Sequence, residues 1–73
     1  MAIKWVKRGK GQWTGGGFRI VECTEDKEGT VPVFLVLGYD ARGMEYEAGR
    51  AHTLDSAKGM AGGLAALQGL FRF

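Results

Sequence analysis

The chain has 73 residues, a formal net charge of +2, one cysteine and one histidine. This length predicts one domain of marginal stability, because so short a chain buries only about 60% of its unfolded surface on folding. One cysteine excludes an internal disulfide, and one cysteine with one histidine excludes the common zinc sites, so we expect no cofactor or metal. No apolar run reaches the roughly 18 residues of a membrane span. We therefore expect a cytoplasmic protein without membrane contact, and stabilisation by a homodimer remains an open alternative.

The charges are unevenly distributed along the chain. Residues 1–21 contain five cations and no acid, whereas residues 22–28 contain four acids against Lys27 alone. A basic region next to an acidic one can steer a charged partner towards the protein, although it carries no information about the fold.

The N-terminal third combines a short strand with a glycine-rich segment. Residues 3–6 alternate between apolar and polar side chains, which predicts a first strand. Five glycines within residues 9–17 make regular structure costly, so residues 1–17 are predicted as a first strand in a mobile basic region. A second strand is predicted over 18–23, where β-forming residues alternate.

Two further strands are predicted in the middle of the chain. Residues 31–39 give the strongest strand signal, with Leu35 on one face and Phe34 and Val36 on the other. A turn over 40–43 leads into a fourth strand over 44–48. Because one helix covers only one side of a sheet, Phe34 and Val36 are predicted to form an interface on the uncovered side.

The last segment is predicted as a helix over 53–71, capped by Thr53. An apolar stripe follows at helical spacing, formed by Met60, Leu64, Leu67 and Phe71, with Ala57, Ala61 and Ala65 on or beside it. Several glycines weaken this helix, so it should form only against the sheet. The predicted fold is α+β, with a four-stranded antiparallel β-meander and one C-terminal α-helix packed on one face.

Residues that could carry catalysis are few. Cys23 and His52 could pair only if the fold brought them together, and a strand cysteine with a surface histidine is the more ordinary interpretation. Glu45 and Glu47 share one face of a strand, where solvated carboxylates are commoner than an acid–base pair. The glycine-rich segment lacks the features of a phosphate-binding loop, because it leads into a strand rather than a helix. The sequence therefore predicts a binding protein and no enzyme.

The strongest candidate for a functional surface is the basic, aromatic N-terminal region. Its cations can bind acidic groups, and its aromatic rings can stack on bases or anchor a protein interface. A protein partner is the leading interpretation and single-stranded nucleic acid is the alternative, while a core tryptophan with solvated lysines is the ordinary structural explanation. The candidate residues are Lys4, Trp5, Lys7, Arg8, Lys10, Trp13 and Arg19.

In length, organisation and basic start, the chain resembles small phage-encoded transcription regulators that bind the host RNA polymerase. The resemblance is carried by residues 3–8 and by the glycine- and alanine-rich helix over 57–67. It implies binding to bacterial RNA polymerase in the host cytoplasm, inhibition of transcription initiation and promotion of antitermination. It does not identify the residues that make contact.

Overall fold

A computed structural model of the chain describes residues 3–70. It contains one antiparallel sheet, in which five strands follow one another in chain order, and one helix after the last strand. The elements are β1 (Val6–Gly9), β2 (Gln12–Gly15), β3 (Phe18–Thr24), β4 (Pro32–Tyr39), β5 (Glu45–Ala51) and α1 (Leu54–Leu70). The α+β class, the antiparallel sheet and the C-terminal helix are confirmed, whereas the predicted number of four strands is wrong. Phe71, the predicted helix end, lies outside the described residues.

The additional strand comes from the glycine-rich segment, which forms the hairpin β1–β2 instead of a loop. The turn between β2 and β3 is made by Gly16 and Gly17, which have φ angles of 57° and 82° and link Gly15 to its cross-strand partner Phe18. Two successive residues with positive φ form a turn whose twist matches that of the flanking strands, and glycine adopts it without strain. The glycines that predicted mobility are therefore used for turns, and the first strand begins at Val6.

Gly15 lies directly beneath the extended segment that precedes β1. A Cβ atom on Gly15 would stand 2.8 Å from Ile3 Cγ2 and 2.8 Å from the Lys4 carbonyl oxygen. Ile3 and Trp5 also pack against the core. Glycine is needed at this point because the backbone of residue 4 approaches the strand too closely for any side chain.

Replacing Gly15 by alanine is expected to destabilise the protein by about 1–3 kcal/mol, because the main chain of residue 4 must move away. Urea unfolding followed by circular dichroism measures this loss. Gly9→Ala is the matched control, since nothing lies within 4 Å of a Cβ at that position. Equal losses in the two variants would contradict a close backbone approach at Gly15.

The core lies between α1 and the central strands. Ile20 of β3 and Val36 of β4 are cross-strand partners, and both are 0% exposed beneath Ala57 and Ala61 of the helix. Alanine side chains let the helix axis come close to the sheet, which excludes water from the larger residues below. The helix begins as predicted, because the Thr53 side-chain oxygen accepts a hydrogen bond from the Ser56 N–H at 3.1 Å.

The buried stripe of α1 lies within the predicted apolar face but is centred on its alanines. Its centre is formed by Ala57 and Ala61, while Met60 and Leu64 pack against the core from one flank and Leu67 is 52% exposed. Met60 lies over Gly49 of β5, where a Cβ would overlap its sulfur atom. The larger apolar side chains dominate the sequence pattern, but the smaller ones fit the narrow space against the sheet.

The two faces of β4 are assigned opposite to the prediction. Val36 lies beneath α1 and Phe34 packs against the same core, whereas Leu35 pairs with Val21 on the side of the sheet away from the helix. We call this second side the open face. The prediction that Phe34 and Val36 form an uncovered interface is therefore wrong, because alternation shows that a strand has two faces but not which one the helix covers.

Charged side chains lie across the open face. Arg19 of β3 reaches over β4 to Glu45 of β5 at 2.8 Å, and Arg50 pairs with Glu47 at 2.7 Å. Arginine stems cover apolar surface while their charged ends stay in water. Because these side chains are partly exposed, each ion pair contributes at most about 1 kcal/mol to stability. Their main effect is to shield the aliphatic residues of β4.

Candidate partner-binding surface

The cations of the N-terminal region collect along one edge of the sheet. Lys7 and Arg8 lie on the edge strand β1, Lys4 precedes it and Lys10 lies in the turn that follows it. We call this segment, residues 4–10, the basic strand. All four cations are exposed, and within residues 3–70 none of them forms an ion pair with a carboxylate. Within residues 3–70 the edge therefore presents cations that are not ion-paired, and the nearest acid at its turn end is Glu22, whose carboxylate lies beside Gly11.

Lys7 and Trp13 face each other across the hairpin. They are cross-strand partners, and the Lys7 ammonium stands 5.9 Å from the centre of the Trp13 ring. This distance allows a cation–π attraction of about 0.5–1 kcal/mol at an exposed site. Trp13 in turn meets Phe34 at 6.0 Å between ring centres. The lysine is thus held near the edge by an aromatic pair that belongs to the core side of the sheet.

The side chain of Arg8 lies on the face of β1 opposite to that of Lys7, and a hydrogen bond there fixes its orientation. Its Nε–H donates a hydrogen bond of 2.9 Å to the Thr14 hydroxyl of β2. Thr14 is also the cross-strand partner of Arg19, so the two arginines lie on either side of one threonine on the open face. They differ in charge balance, because Arg19 is paired with Glu45 whereas Arg8 has no acidic partner among residues 3–70.

The seven candidate residues from the sequence are therefore divided between two sides of the sheet. Trp5, Lys7 and Trp13 lie on the helix side, whereas Arg8 and Arg19 lie on the open face. Lys10 lies in the turn, and Lys4 is exposed ahead of β1. The basic strand brings four of them to one edge, and Arg19 is drawn away towards Glu45.

Both tryptophans pack against the core. Trp5 and Trp13 are half-buried, and each touches the cluster that includes Phe18 and Ile20. A base that stacked on Trp13 would have to compete with Lys7 on one side and Phe34 on the other. The edge is therefore better suited to electrostatic contact than to base stacking.

The groups considered for catalysis are held in structural contacts. His52 lies 3.2 Å from Glu25, and Cys23 faces Val33 within the sheet. Glu45 and Glu47 each bind an arginine. In the β3–β4 loop, a hydrogen bond from the Thr30 side chain lowers the pKa of Asp26, assisted by the Val31 N–H. Asp26 thereby fixes the loop.

Other kinds of site have little support in the described part of the chain. Residues 3–70 include no helix with the length and apolar content that crossing a membrane requires. The same residues include no group of three or more histidine, cysteine or acidic side chains arranged to hold a metal ion. Known protein families, curated proteins and solved structures give no match to this chain. The surface must therefore be interpreted from its own chemistry.

Thr14 is the residue of this surface that the sequence did not indicate. It contacts Arg8 six positions away only because the chain reverses at Lys10 and Gly11. A signal was present, since glycine on both sides of Lys10 is typical of a tight turn and Gly11 has a φ of 70°. A regular hairpin over 6–15 would have paired Arg8 with Trp13, so the contact with Thr14 depends on the register shift between Lys7 and Gly9, which the sequence does not show.

Proposed function

We propose that this chain is a non-enzymatic regulatory protein that binds an acidic surface of a protein partner through the basic strand. The observation that carries the proposal is the set of four cations on one exposed edge without an acidic partner among residues 3–70. A one-signed charged edge raises the rate at which an oppositely charged partner associates.

Lysine and arginine on an edge strand have an ordinary structural use as well, because they prevent the edge from pairing with other sheets. One or two charges suffice for that purpose. Here the charges extend beyond β1 on both sides, to Lys4 and to Lys10 in the turn. This extension favours a binding surface over protection of the edge alone.

A protein partner is favoured over single-stranded nucleic acid. A stacking platform needs exposed aromatic rings beside its cations, and Trp5 and Trp13 are half-buried against the core. An acidic protein surface carries isolated carboxylates, which exposed cations can bind without a stacking platform.

Bacterial RNA polymerase is the first partner to test, on the resemblance to small phage-encoded regulators. In that case the protein binds in the host cytoplasm, inhibits initiation and promotes antitermination, without a cofactor. We expect micromolar or tighter binding to purified polymerase, measured by isothermal titration calorimetry with the core enzyme and with the sigma-containing holoenzyme. Promoter-dependent abortive synthesis should fall, and readthrough of an intrinsic terminator should rise.

Two results would contradict this proposal. If neither polymerase form binds at micromolar concentration, polymerase is excluded as the partner. If binding occurs but both transcription readouts stay unchanged, the regulatory role is wrong. A single-stranded oligonucleotide titrated in the same buffer tests the alternative. Affinity for it that falls steeply with salt, in the absence of polymerase binding, would replace the protein partner by nucleic acid.

A further inference from the structure

We infer that Arg8, oriented by Thr14, is the specificity-determining contact of the basic strand and binds a single carboxylate of the partner through two parallel hydrogen bonds. This inference rests on the proposed function, since it names the chemical group that the edge recognises. It assigns different roles to the cations. Arg8 selects a carboxylate through the fixed geometry of its two hydrogen bonds, whereas the three lysines supply positive charge.

The orientation of Arg8 carries the argument. An arginine has five N–H donors in a planar fork, and one of them, on Nε, is occupied by the Thr14 hydroxyl at 2.9 Å. The hydrogen bond fixes the plane of the guanidinium and leaves both terminal nitrogens for a ligand. Arg8 is exposed and lacks an acidic partner among residues 3–70, so these nitrogens face water in the free protein.

Arginine holds a carboxylate or a phosphate through two parallel N–H···O bonds, which a lysine cannot reproduce. Pre-ordering of the fork increases affinity, because less side-chain freedom is lost on binding. The neighbouring Arg19 shows that an arginine pairs with a carboxylate on this face, through one terminal nitrogen that lies 2.8 Å from Glu45 Oε1. Arg8 offers the same chemistry to a group from outside the chain.

A carboxylate fits the surroundings better than a phosphate of nucleic acid. Proteins that bind single-stranded nucleic acid combine cations with exposed aromatic rings on which bases stack, and Trp5 and Trp13 beside the basic strand are half-buried against the core. A single carboxylate needs no stacking ring, because the two terminal nitrogens of Arg8 suffice to bind it. The ligand chemistry is therefore an aspartate or glutamate side chain on a protein surface.

The inference is tested with a synthetic hexaglutamate peptide as the probe, titrated into the full chain and followed by NMR of the arginine Nε–H signals. We expect the Arg8 signal to shift on titration, and Arg8→Lys to weaken peptide binding about tenfold although the charge is kept. Thr14→Val should weaken binding by a similar factor, and Thr14→Ser should restore it because the hydroxyl returns. Matched controls are Arg42→Lys and Thr24→Val, at an exposed turn and at the end of β3.

Thermal unfolding of each variant separates orientation from folding. A loss of affinity in Thr14→Val without a lower melting temperature supports the positioning role of Thr14. Unchanged affinity in Arg8→Lys overturns the inference, and so does a loss in Thr14→Val that Thr14→Ser does not recover. Tighter binding of inorganic phosphate or an oligothymidylate than of the peptide also overturns it. Because the probe is a peptide, these outcomes do not depend on whether polymerase is the partner.

Discussion

Replacing Ile20 by alanine is expected to cost about 2–5 kcal/mol of unfolding free energy. Ile20 is 0% exposed at the centre of the sheet, beneath Ala57 and Ala61. Those alanines are too small to fill the cavity. A domain of this size has a total free energy of unfolding of only a few kcal/mol, so Ile20→Ala should be substantially unfolded at 37 °C. Urea unfolding monitored by circular dichroism measures the effect.

Two further variants keep this prediction decisive if Ile20→Ala does not fold at all. Ile20→Val removes one methyl group and should cost about 0.5–1.5 kcal/mol, which a folded protein can report. Val21→Ala changes the next residue of β3, which is half-buried on the open face, and should cost roughly 1 kcal/mol. Equal losses for full truncations at 20 and 21 would contradict the assignment of Ile20 to the main core beneath α1, where it is more deeply buried than Val21 on the open face.

Reversing the charges of Lys7, Arg8 and Lys10 to glutamate is expected to weaken binding to the protein partner by roughly 100-fold. Each surface charge contributes up to about 1 kcal/mol to such a contact, and 1.4 kcal/mol is a factor of ten. Much of the loss should appear in the association rate, and wild-type binding should weaken as salt is added. Surface plasmon resonance with immobilised polymerase measures the rate and the affinity together.

The matched control reverses three cations elsewhere, at Lys27, Arg42 and Lys58. The two variants have the same net charge, so they separate a localised surface from a general electrostatic effect. We expect both to keep the circular dichroism spectrum of the wild type, because none of the six side chains lies in the core. The melting temperature should fall by a few degrees in the first variant, where Lys7 loses its contact with the Trp13 ring and Arg8 its hydrogen bond to Thr14. Equal loss of binding in both variants would show that the effect depends on net charge and is not localised to the basic strand. No loss in either variant would show that the basic strand is not part of the interface.

Much of the sheet could be predicted from period-two alternation. The segments that became β3 and β4 stood out because β-branched and aromatic residues alternate there without interruption, and the Thr53 cap marked the start of α1. These signals are local, so they are visible without knowledge of the fold. The N-terminal hairpin was missed because glycine is compatible with both a flexible loop and a turn with positive φ.

The pairing of elements was harder to predict than their positions. Assigning the faces of β4 required knowing which side α1 would cover, and alternation is symmetric between the two sides. The apolar face of α1 was predicted, but its centre was not, because the size of Met60 and Leu67 relative to Ala57 and Ala61 does not show how closely the helix approaches. That closeness depends on Gly49 beneath Met60, a contact between residues on different elements.

The candidate surface was predicted in composition but not in arrangement. The sequence showed that cations and aromatic residues alternate near the start of the chain. It could not show that Trp5 and Trp13 are drawn into the core, that Arg19 is neutralised by Glu45, or that Thr14 orients Arg8. Each of these depends on strand register, which follows from turn geometry and from burial of one face.

The order of the strands in the sheet repeats their order in the chain, so every strand pairs with the strand made just before it. Each pairing closes only a short loop, which keeps the entropic cost of every step small. A topology of local contacts folds quickly compared with sheets that join distant segments. The exception is α1, which can cover Phe18, Ile20 and Val36 only after the last strand has been synthesised. During translation these three residues stay uncovered longest, and the nascent sheet is then most open to chaperones or to aggregation.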